Sequence, residues 1–359
     1  MASLRSTVAE KLKEPSAVVR FNGNRARNVL DISINNTIED SIGTATISMT
    51  ENPGISPENK VQIEQGYNGK HLLTFTGYVD SIDYDEFEET YSVSCRDVLK
   101  KAVDTYFIQE VKFGIDVEAG LYYYSTYSNI DGGTFRVHEY SSLSALHSNH
   151  PETTDNITNE GVYAHAVVQW LLVMCGFAEG SEIQVDNTEF FVGDITPLKF
   201  FLTNAYDSIM QLAQLIGWRV YADAAGVVRF KRKPRNYSGF TQWAYSTKTN
   251  HNTFKVKKTV TNTDLRNYVE VRGASGIVAI RRGPSEYIGS TPYRGVLISN
   301  ELIDTQGIAN YMASRVYNDL NRLKVTLNIE ADGNPFILPG DSISISSRVI
   351  TGSYLVEEH

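Results

Sequence analysis

Three histidines and two acids cluster near the middle of the chain, in a stretch that could bind a metal ion. Imidazole and carboxylate groups are common metal ligands. However, their spacing fits no zinc pattern, and no cysteine lies close by. We interpret them as ordinary loop residues and predict no metal site. The residues are His138, Glu139, His147, His150 and Asp155.

A run of carboxylates precedes this stretch and could bind a cation of another kind. Carboxylate oxygens are the usual ligands of Ca²⁺, but the run lacks the regular spacing and the glycine of a calcium loop. We interpret it as the solvated tip of a hairpin; a calcium site or a docking site for a partner is the alternative. The residues are Asp80, Asp83, Asp85, Glu86, Glu88 and Glu89.

Four tyrosines, Tyr122, Tyr123, Tyr124 and Tyr127, form an aromatic cluster. Tyrosine is enriched at protein interfaces because it is rigid and amphipathic. The cluster has three readings: packing inside its own domain, a contact between subunits, or a platform that stacks on sugars. These four residues are our candidates for an interface.

Catalytic motifs are missing from the sequence. It contains no Gly-x-Ser-x-Gly elbow, no phosphate-binding loop and no His-Glu-x-x-His motif. Pairs of Asp and Glu are abundant, so counting does not exclude a glycosidase pair. No segment resembles an added lysozyme or peptidase domain. We predict no catalytic residues and no cofactor, and therefore a protein that is not an enzyme.

Charge and hydropathy restrict the environment of the protein. The net charge is −9 and the pI is about 5.4. The basic patches at residues 231–235 and 281–284 are short, so we interpret them as solvated or interfacial rather than as DNA-gripping. The start of the chain lacks the apolar stretch of a signal peptide, and the longest apolar run, residues 170–178, is too short to span a bilayer. We expect folding in the cytoplasm and no membrane anchor.

Cys95 and Cys175 are the only cysteines. Cys95 lies in an alternating segment and Cys175 at the end of an apolar helix, so we predict two buried thiols, with a disulfide as the alternative.

The first part of the chain has the period-two alternation of half-buried strands. Turn signals such as Asn-Pro-Gly separate the segments, and several short strands in succession suggest a sandwich or a barrel. The inward-facing residues are predicted to be Leu30, Ile32, Ile34, Ala45, Ile47, Met49, Val61, Ile63, Tyr91, Val93 and Cys95.

Residues 98–254 have a different pattern. Short helices are predicted at 98–107, 162–175 and 205–216, the last two ending at glycines that suit a left-handed cap. A hairpin follows at 218–230, and residues 108–160 look loop-rich and polar.

Alternation returns in residues 255–359. Leu323, Val325, Leu327 and Ile329 form the clearest strand, and a helix with Asp304 as N-cap interrupts the β pattern. The hairpins at 61–79 and 342–356 resemble each other weakly, which suggests two copies of one fold. We predict an N-terminal arm (1–16), a first β-barrel domain (17–97), an α/β insertion (98–254) and a second β-barrel domain (255–359), in a mainly β, α+β fold.

Four segments, in this order, resemble the hub family of tailed-phage baseplates and related contractile injection systems. Residues 75–80 resemble the strand that reads Phe-x-Gly-x-Val in the family, and residues 93–99 resemble its strand-to-helix exit, with Asp97 capping the helix. Residues 205–230 are similar to the helix and hairpin of the family, and residues 338–356 to its C-terminal hairpin. Residues 108–160 match no family pattern.

The resemblance implies tail-tube-like barrels and a homotrimer whose six barrels form a pseudo-sixfold ring. Such a ring would connect the tail tube to the central spike beside other baseplate subunits, while DNA or another cargo passes through its bore without specific binding. The expected location is the virion tail, after assembly in the host bacterial cytoplasm. Two alternatives remain open: a tail-tip adhesin that binds host glycan through the tyrosines, and a tail-associated peptidoglycan hydrolase.

Overall fold

The computed structural model describes most of the chain. The described residues are 15–37, 42–67, 69–128, 134–193, 196–234, 243–247, 253–283, 293–321, 324–331, 334, 337–348 and 350–357. Nearly all of the predicted arm lies outside them, as do Arg235 and Pro284 of the basic patches and Leu323 of the predicted strand.

The first part of the chain forms one antiparallel sheet of seven strands. Its order is β2-β1-β5-β6-β7-β4-β3. The strands are β1 Pro15–Phe21, β2 Asn24–Arg25, β3 Val29–Asn35, β4 Thr44–Met49, β5 Lys60–Tyr67, β6 Lys70–Asp85 and β7 Thr90–Asp97.

One face of this sheet forms its own core. Ile47, Val61, Ile63 and Val93 are fully buried, and the other members of this core come from the same sheet and its loops. The buried side chains thus lie on one face of the sheet, as the alternation predicts. Leu30 is the exception: it is 59% exposed, and our prediction for it was wrong.

A β-bulge explains the exposure of Leu30. The pairing of β3 with β4 shifts register between Val29 and Asp31, so Leu30 is the extra residue. A bulge changes which residues of the strand point to a given face of the sheet. Val29, just before the bulge, therefore packs against the core in place of Leu30.

The insertion mixes short sheets with four helices. Its helices are α1 Lys100–Asp104, α2 Leu143–Asn149, α3 Ala164–Met174 and α4 Ala205–Ile216, with a 3₁₀ turn at Pro151–Thr153. Its strands are β8 Tyr106–Phe107, β9 Val111–Asp116, β10 Leu121–Ser128, β11 Thr134–Tyr140, β12 Ile157–Thr158, β13 Gly161–Tyr163, β14 Ile183–Val185, β15 Phe191–Val192, β16 Leu198–Phe200, β17 Thr203–Asn204, β18 Trp218–Ala222 and β19 Val228–Arg232.

The predicted loop-rich character of residues 108–160 was wrong. They contain β9, β10 and β11, which form the antiparallel sheet β11-β10-β9-β16. Tyr123, Tyr124 and Ser125 are buried in succession because both faces of β10 are covered there. A strand covered on both faces shows no alternation, and β10 consists mostly of Tyr, Ser and Thr rather than a continuous aliphatic run, so no strand signal is visible in the sequence.

Helix α4 begins and ends where the sequence predicts. The Asn204 side chain accepts a hydrogen bond from the Asp207 amide, and Gly217 ends the helix with a φ of 75° in the left-handed region. Its buried face, which includes Ile209 and Leu212, joins the largest core of the molecule.

The last part of the chain forms three sheets, ordered β20-β26-β27, β21-β25 and β23-β22-β24. The elements are β20 Trp243–Ser246, β21 Thr253–Thr261, β22 Tyr268–Arg272, a 3₁₀ turn at Ala274–Gly276, β23 Val278–Arg282, β24 Gly295–Ser299, α5 Gln306–Leu320, β25 Lys324–Ala331, β26 Ser342–Ser346 and β27 Thr351–Leu355. The predicted N-cap of α5 was wrong by one residue: Thr305 accepts the hydrogen bond from the Ile308 amide, and Asp304 is buried beside it.

The elements of this last part belong to two different cores. Val269, Val271 and Met312, from β22 and α5, belong to the core of the insertion. Tyr245, Ile343 and Ile345 belong instead to a small separate core. The mainly β, α+β class is confirmed, whereas the domain boundaries and the two barrels of one fold stay predictions.

Candidate functional site

The structure brings together only part of the histidine group. The rings of His138 and His150 lie 4.7 Å apart, and Nε2 of His138 is 2.9 Å from the hydroxyl of Thr126. His147 instead faces the carbonyl of Ile157. Across the part of the chain that the structure describes, no three His, Cys, Asp or Glu side chains are placed to hold a metal ion.

Burial lowers the pKa of His138, and nearby positive charge lowers it further. The charge comes from His150 and then from Arg136. His138 is therefore neutral over a wider pH range than an exposed histidine.

The tyrosine cluster packs largely within the insertion. Tyr124 is buried against Trp170, with ring centroids 4.8 Å apart, and Tyr123 lies under the Lys112 ammonium, 5.1 Å from the ring centroid. The Tyr122 hydroxyl donates to the Asn159 side chain. Tyr127 packs on Phe135 but keeps an exposed edge. A contact of these residues with another subunit stays a prediction.

The acidic run separates into two parts. Asp80 is partly buried and forms a two-point ion pair with Arg96, with distances of 2.5 and 2.8 Å. The other five acids are exposed on the hairpin between β6 and β7. There the Asp85 side chain accepts hydrogen bonds from the amides of Phe87 and Glu88, which fixes the turn.

A charge network fastens the first sheet to α1. The Lys100 ammonium is nearly buried and lies 2.5 Å from the Glu58 carboxylate, with Asp104 also in contact and Asp80 3.7 Å away. The sequence analysis missed this network because its members are distant in sequence. Its geometry suits a rigid joint rather than a binding site, since each charge faces an opposite charge.

Asp97 holds the exit from the first sheet. Its carboxylate accepts hydrogen bonds from the Leu99 amide at 2.8 Å and the Gly43 amide at 2.6 Å. The predicted capping of α1 by Asp97 was wrong: Leu99 is the N-cap of α1 and no side chain among the described residues caps the helix, because Asp97 binds the amide of the N-cap residue itself. Burial raises the pKa of Asp97 to about 7, against the opposing effect of the two amides.

The β18–β19 hairpin contacts both β parts of the molecule beside a small cavity. The Thr76 hydroxyl of β6 donates to the carbonyl of Ala224 at 2.7 Å. The Arg219 guanidinium, which is buried, donates to the carbonyl of Pro339 at 2.8 Å. The cavity between these contacts is lined by residues of the first sheet, the hairpin and the 338–339 segment. The hairpin therefore links the first and last parts of the chain.

Both cysteines are buried and free, as predicted. Burial raises the pKa of each thiol to about 12, which keeps both protonated and unreactive. No helix among the described residues has the length and apolar character needed to cross a membrane.

The fold is shared with solved tail proteins. The chain is similar to a tail protein from Neisseria meningitidis, with a TM-score of 0.64, 11% identity, and coverage of 96% of this chain and 90% of that one. It is also similar to the 43 kDa tail protein of prophage MuSo2 from Shewanella oneidensis (TM-score 0.58, 15% identity, 95% and 92% coverage). A third similar structure is the prophage tail protein gp18 from Listeria monocytogenes (TM-score 0.51, 11% identity, 95% and 89% coverage).

These similarities cover nearly the whole of each chain, at sequence identities that show a common fold and no more. The resemblance to tail proteins seen in the sequence is confirmed at the level of the fold. No known family model matches the sequence, and no curated protein matches it.

Proposed function

We propose that the protein is a structural subunit of a phage tail or a phage-tail-like injection machine, and specifically its baseplate hub. The observation that carries this proposal is the fold, which three tail proteins share over almost their full length. The internal joints support a rigid structural role, because the charge network at Lys100 and the β18–β19 hairpin connect distant parts of the chain.

In this proposal three copies form a ring that connects the tail tube above to the central spike below, beside other baseplate subunits. Such a ring suits the open strand edges of the described sheets, since pairing with a neighbour satisfies exposed backbone groups. DNA or another cargo passes through the bore without specific binding, because an acidic protein of net charge −9 repels phosphate. The location is the virion tail after assembly in the host cytoplasm.

In this proposal the protein has no catalytic activity and no cofactor. Turbidity clearing of bacterial cell walls by the purified chain would identify a peptidoglycan hydrolase and contradict this part of the proposal. The adhesin alternative has less support, since Tyr123 and Tyr124 are buried within the insertion and cannot stack on a glycan.

The direct test is the mass of the purified protein in solution, measured by light scattering. A trimer has a mass of about 120 kDa, three times the 40.1 kDa of one chain. Electron microscopy of the same sample should show rings. A protein that stays monomeric at all concentrations would contradict the proposed function as a trimeric hub.

A further inference from the structure

The tip of the β6–β7 hairpin carries a hydrophobic side chain that contacts nothing in its own chain. Phe87 is 100% exposed, and Tyr84 beside it is more than half exposed. Strand β5 pairs with β6 only as far as Tyr78. Residues 81–85 of β6 therefore pair with β7 alone, and the hairpin tip lies beyond the end of β5. The whole apolar surface of this phenyl ring is in water, so covering it with a partner would stabilise a contact.

The surroundings of Phe87 determine what kind of partner fits. The exposed acids of this hairpin are Asp83, Asp85, Glu86, Glu88 and Glu89. A matching surface therefore needs an exposed apolar spot flanked by cations without ion-pair partners.

The β21–β25 ribbon of the same chain has such a surface. Val260 and Val325 are cross-strand neighbours and are 53% and 43% exposed. They continue the apolar face on which Leu327 and Ile329 pack against the small core, but they extend past that core. Lys258 lies on the same face, two residues before Val260.

The cations of this ribbon are of two kinds. Lys255 is paired with Glu330 and Lys324 with Glu357. Lys258, on the face of the two valines, forms no ion pair with the described residues. Strand β21 pairs only with β25 within the described part of the chain, so the ribbon also offers open backbone edges.

We propose that the hairpin tip of one copy docks on the Val260–Val325 end of the ribbon of a second copy. The two surfaces are different, so the contact is head-to-tail, and in the proposed trimer three such contacts close the ring. Phe87 covers the two valines, while the carboxylates around it face Lys258 on the same face of the ribbon. This inference rests on the proposed ring of identical chains and names the contact that closes it.

Two single variants test the contact by light scattering across a dilution series. Phe87→Ser and Lys258→Glu should each raise the dissociation constant of the trimer by about tenfold or more, because each removes a central element of the interface. The matched controls are Phe201→Ser, at another exposed phenylalanine, and Lys199→Glu, at another exposed lysine; both should leave the trimer intact.

A mixture of the two variants gives a sharper result. The Lys258→Glu chain keeps an intact tip, and the Phe87→Ser chain keeps an intact ribbon, so one contact forms between them. At a concentration at which each variant alone has dissociated to monomers, the mixture should therefore yield 1:1 dimers that cannot close. A symmetric contact would not produce this pattern.

The outcomes distinguish this inference from the proposed function. A wild-type trimer that both variants leave unchanged overturns the docking contact and leaves the hub in place. A wild-type chain that is always monomeric overturns both. Circular dichroism of each variant confirms that the chain has folded before its mass is interpreted.

Discussion

Arg219 and Pro339 are joined by a hydrogen bond of 2.8 Å between the guanidinium Nη1 and the backbone carbonyl, across 120 residues of sequence. The guanidinium also lies over the ring of Tyr221, 4.2 Å from its centroid. At the far end of the same hairpin, Ala224 accepts a hydrogen bond from Thr76. One hairpin of the insertion thus holds the first and last parts of the chain, which lack a sheet in common.

Gly77 is predicted to be essential for the pairing of β6 with β7. A Cβ atom there would lie 2.1 Å from the carbonyl oxygen of Arg96 and 2.8 Å from the Cα of Asp97, both backbone atoms. Gly77→Ala should lower the free energy of unfolding by about 2 kcal/mol or more, because the strands must separate. Gly307→Ala, where the nearest atom is 4.0 Å away, should be neutral or slightly stabilising. Equal unfolding midpoints in urea would contradict this prediction.

Leu327→Asp should destabilise the last part of the chain. Leu327 is partly buried against the small core that contains Tyr245, Ile343 and Ile345, so the variant places a carboxylate in an apolar contact. We expect a loss of about 2–4 kcal/mol. The control is Asn328→Asp, which adds the same charge on the exposed face of the same strand. Unchanged thermal melting of the Leu327 variant would refute the strand assignment.

Asp97 should make the protein less stable as the pH rises from 5 to 7. Its pKa is about 7 in the folded protein, above the ordinary value, so the folded state keeps a proton that the unfolded chain has released. This stabilisation is complete below about pH 4 and disappears as the pH rises through 7, at no more than about 1.4 kcal/mol per pH unit. Asp97→Asn should remove this slope in urea unfolding; an identical slope would show that Asp97 is ionised throughout.

His138 should make the protein less stable as the pH falls, which is opposite to the effect of Asp97. Its pKa is lowered in the folded protein, so the unfolded chain takes up a proton first as the pH falls. Its contribution is complete above about pH 6.5 and disappears as the pH falls through the lowered value. His138→Gln should be less sensitive to acid than the wild type between pH 6.5 and 5. Parallel unfolding curves for the two proteins would count against it.

The sequence predicted the elements whose signals are local. Buried Ile47, Val61 and Val93 follow period-two alternation, and α4 lies between an Asn cap and a Gly stop. These features depend on residues a few positions apart, which a single sequence shows directly.

The sequence could not predict features that depend on distant contacts. Burial of β10 on both faces hid a strand, and a bulge moved Leu30 to the surface. Glu58 and Lys100 are 42 residues apart, and Arg219 and Pro339 are 120 apart. Nothing in the local pattern around these residues indicates a partner, because folding alone brings the two ends together.

The pairing of β20 with β26 has a consequence for synthesis on the ribosome. The two strands are parallel neighbours, with Trp243 opposite Ile343, while β22, β24 and α5 lie between them in sequence and join another core. The nascent chain can therefore bury β22 and α5 before β26, the partner strand of β20, has been synthesised. Closing so long a loop is slow. A chaperone that binds unpaired strands would find β20 exposed until β26 leaves the exit tunnel.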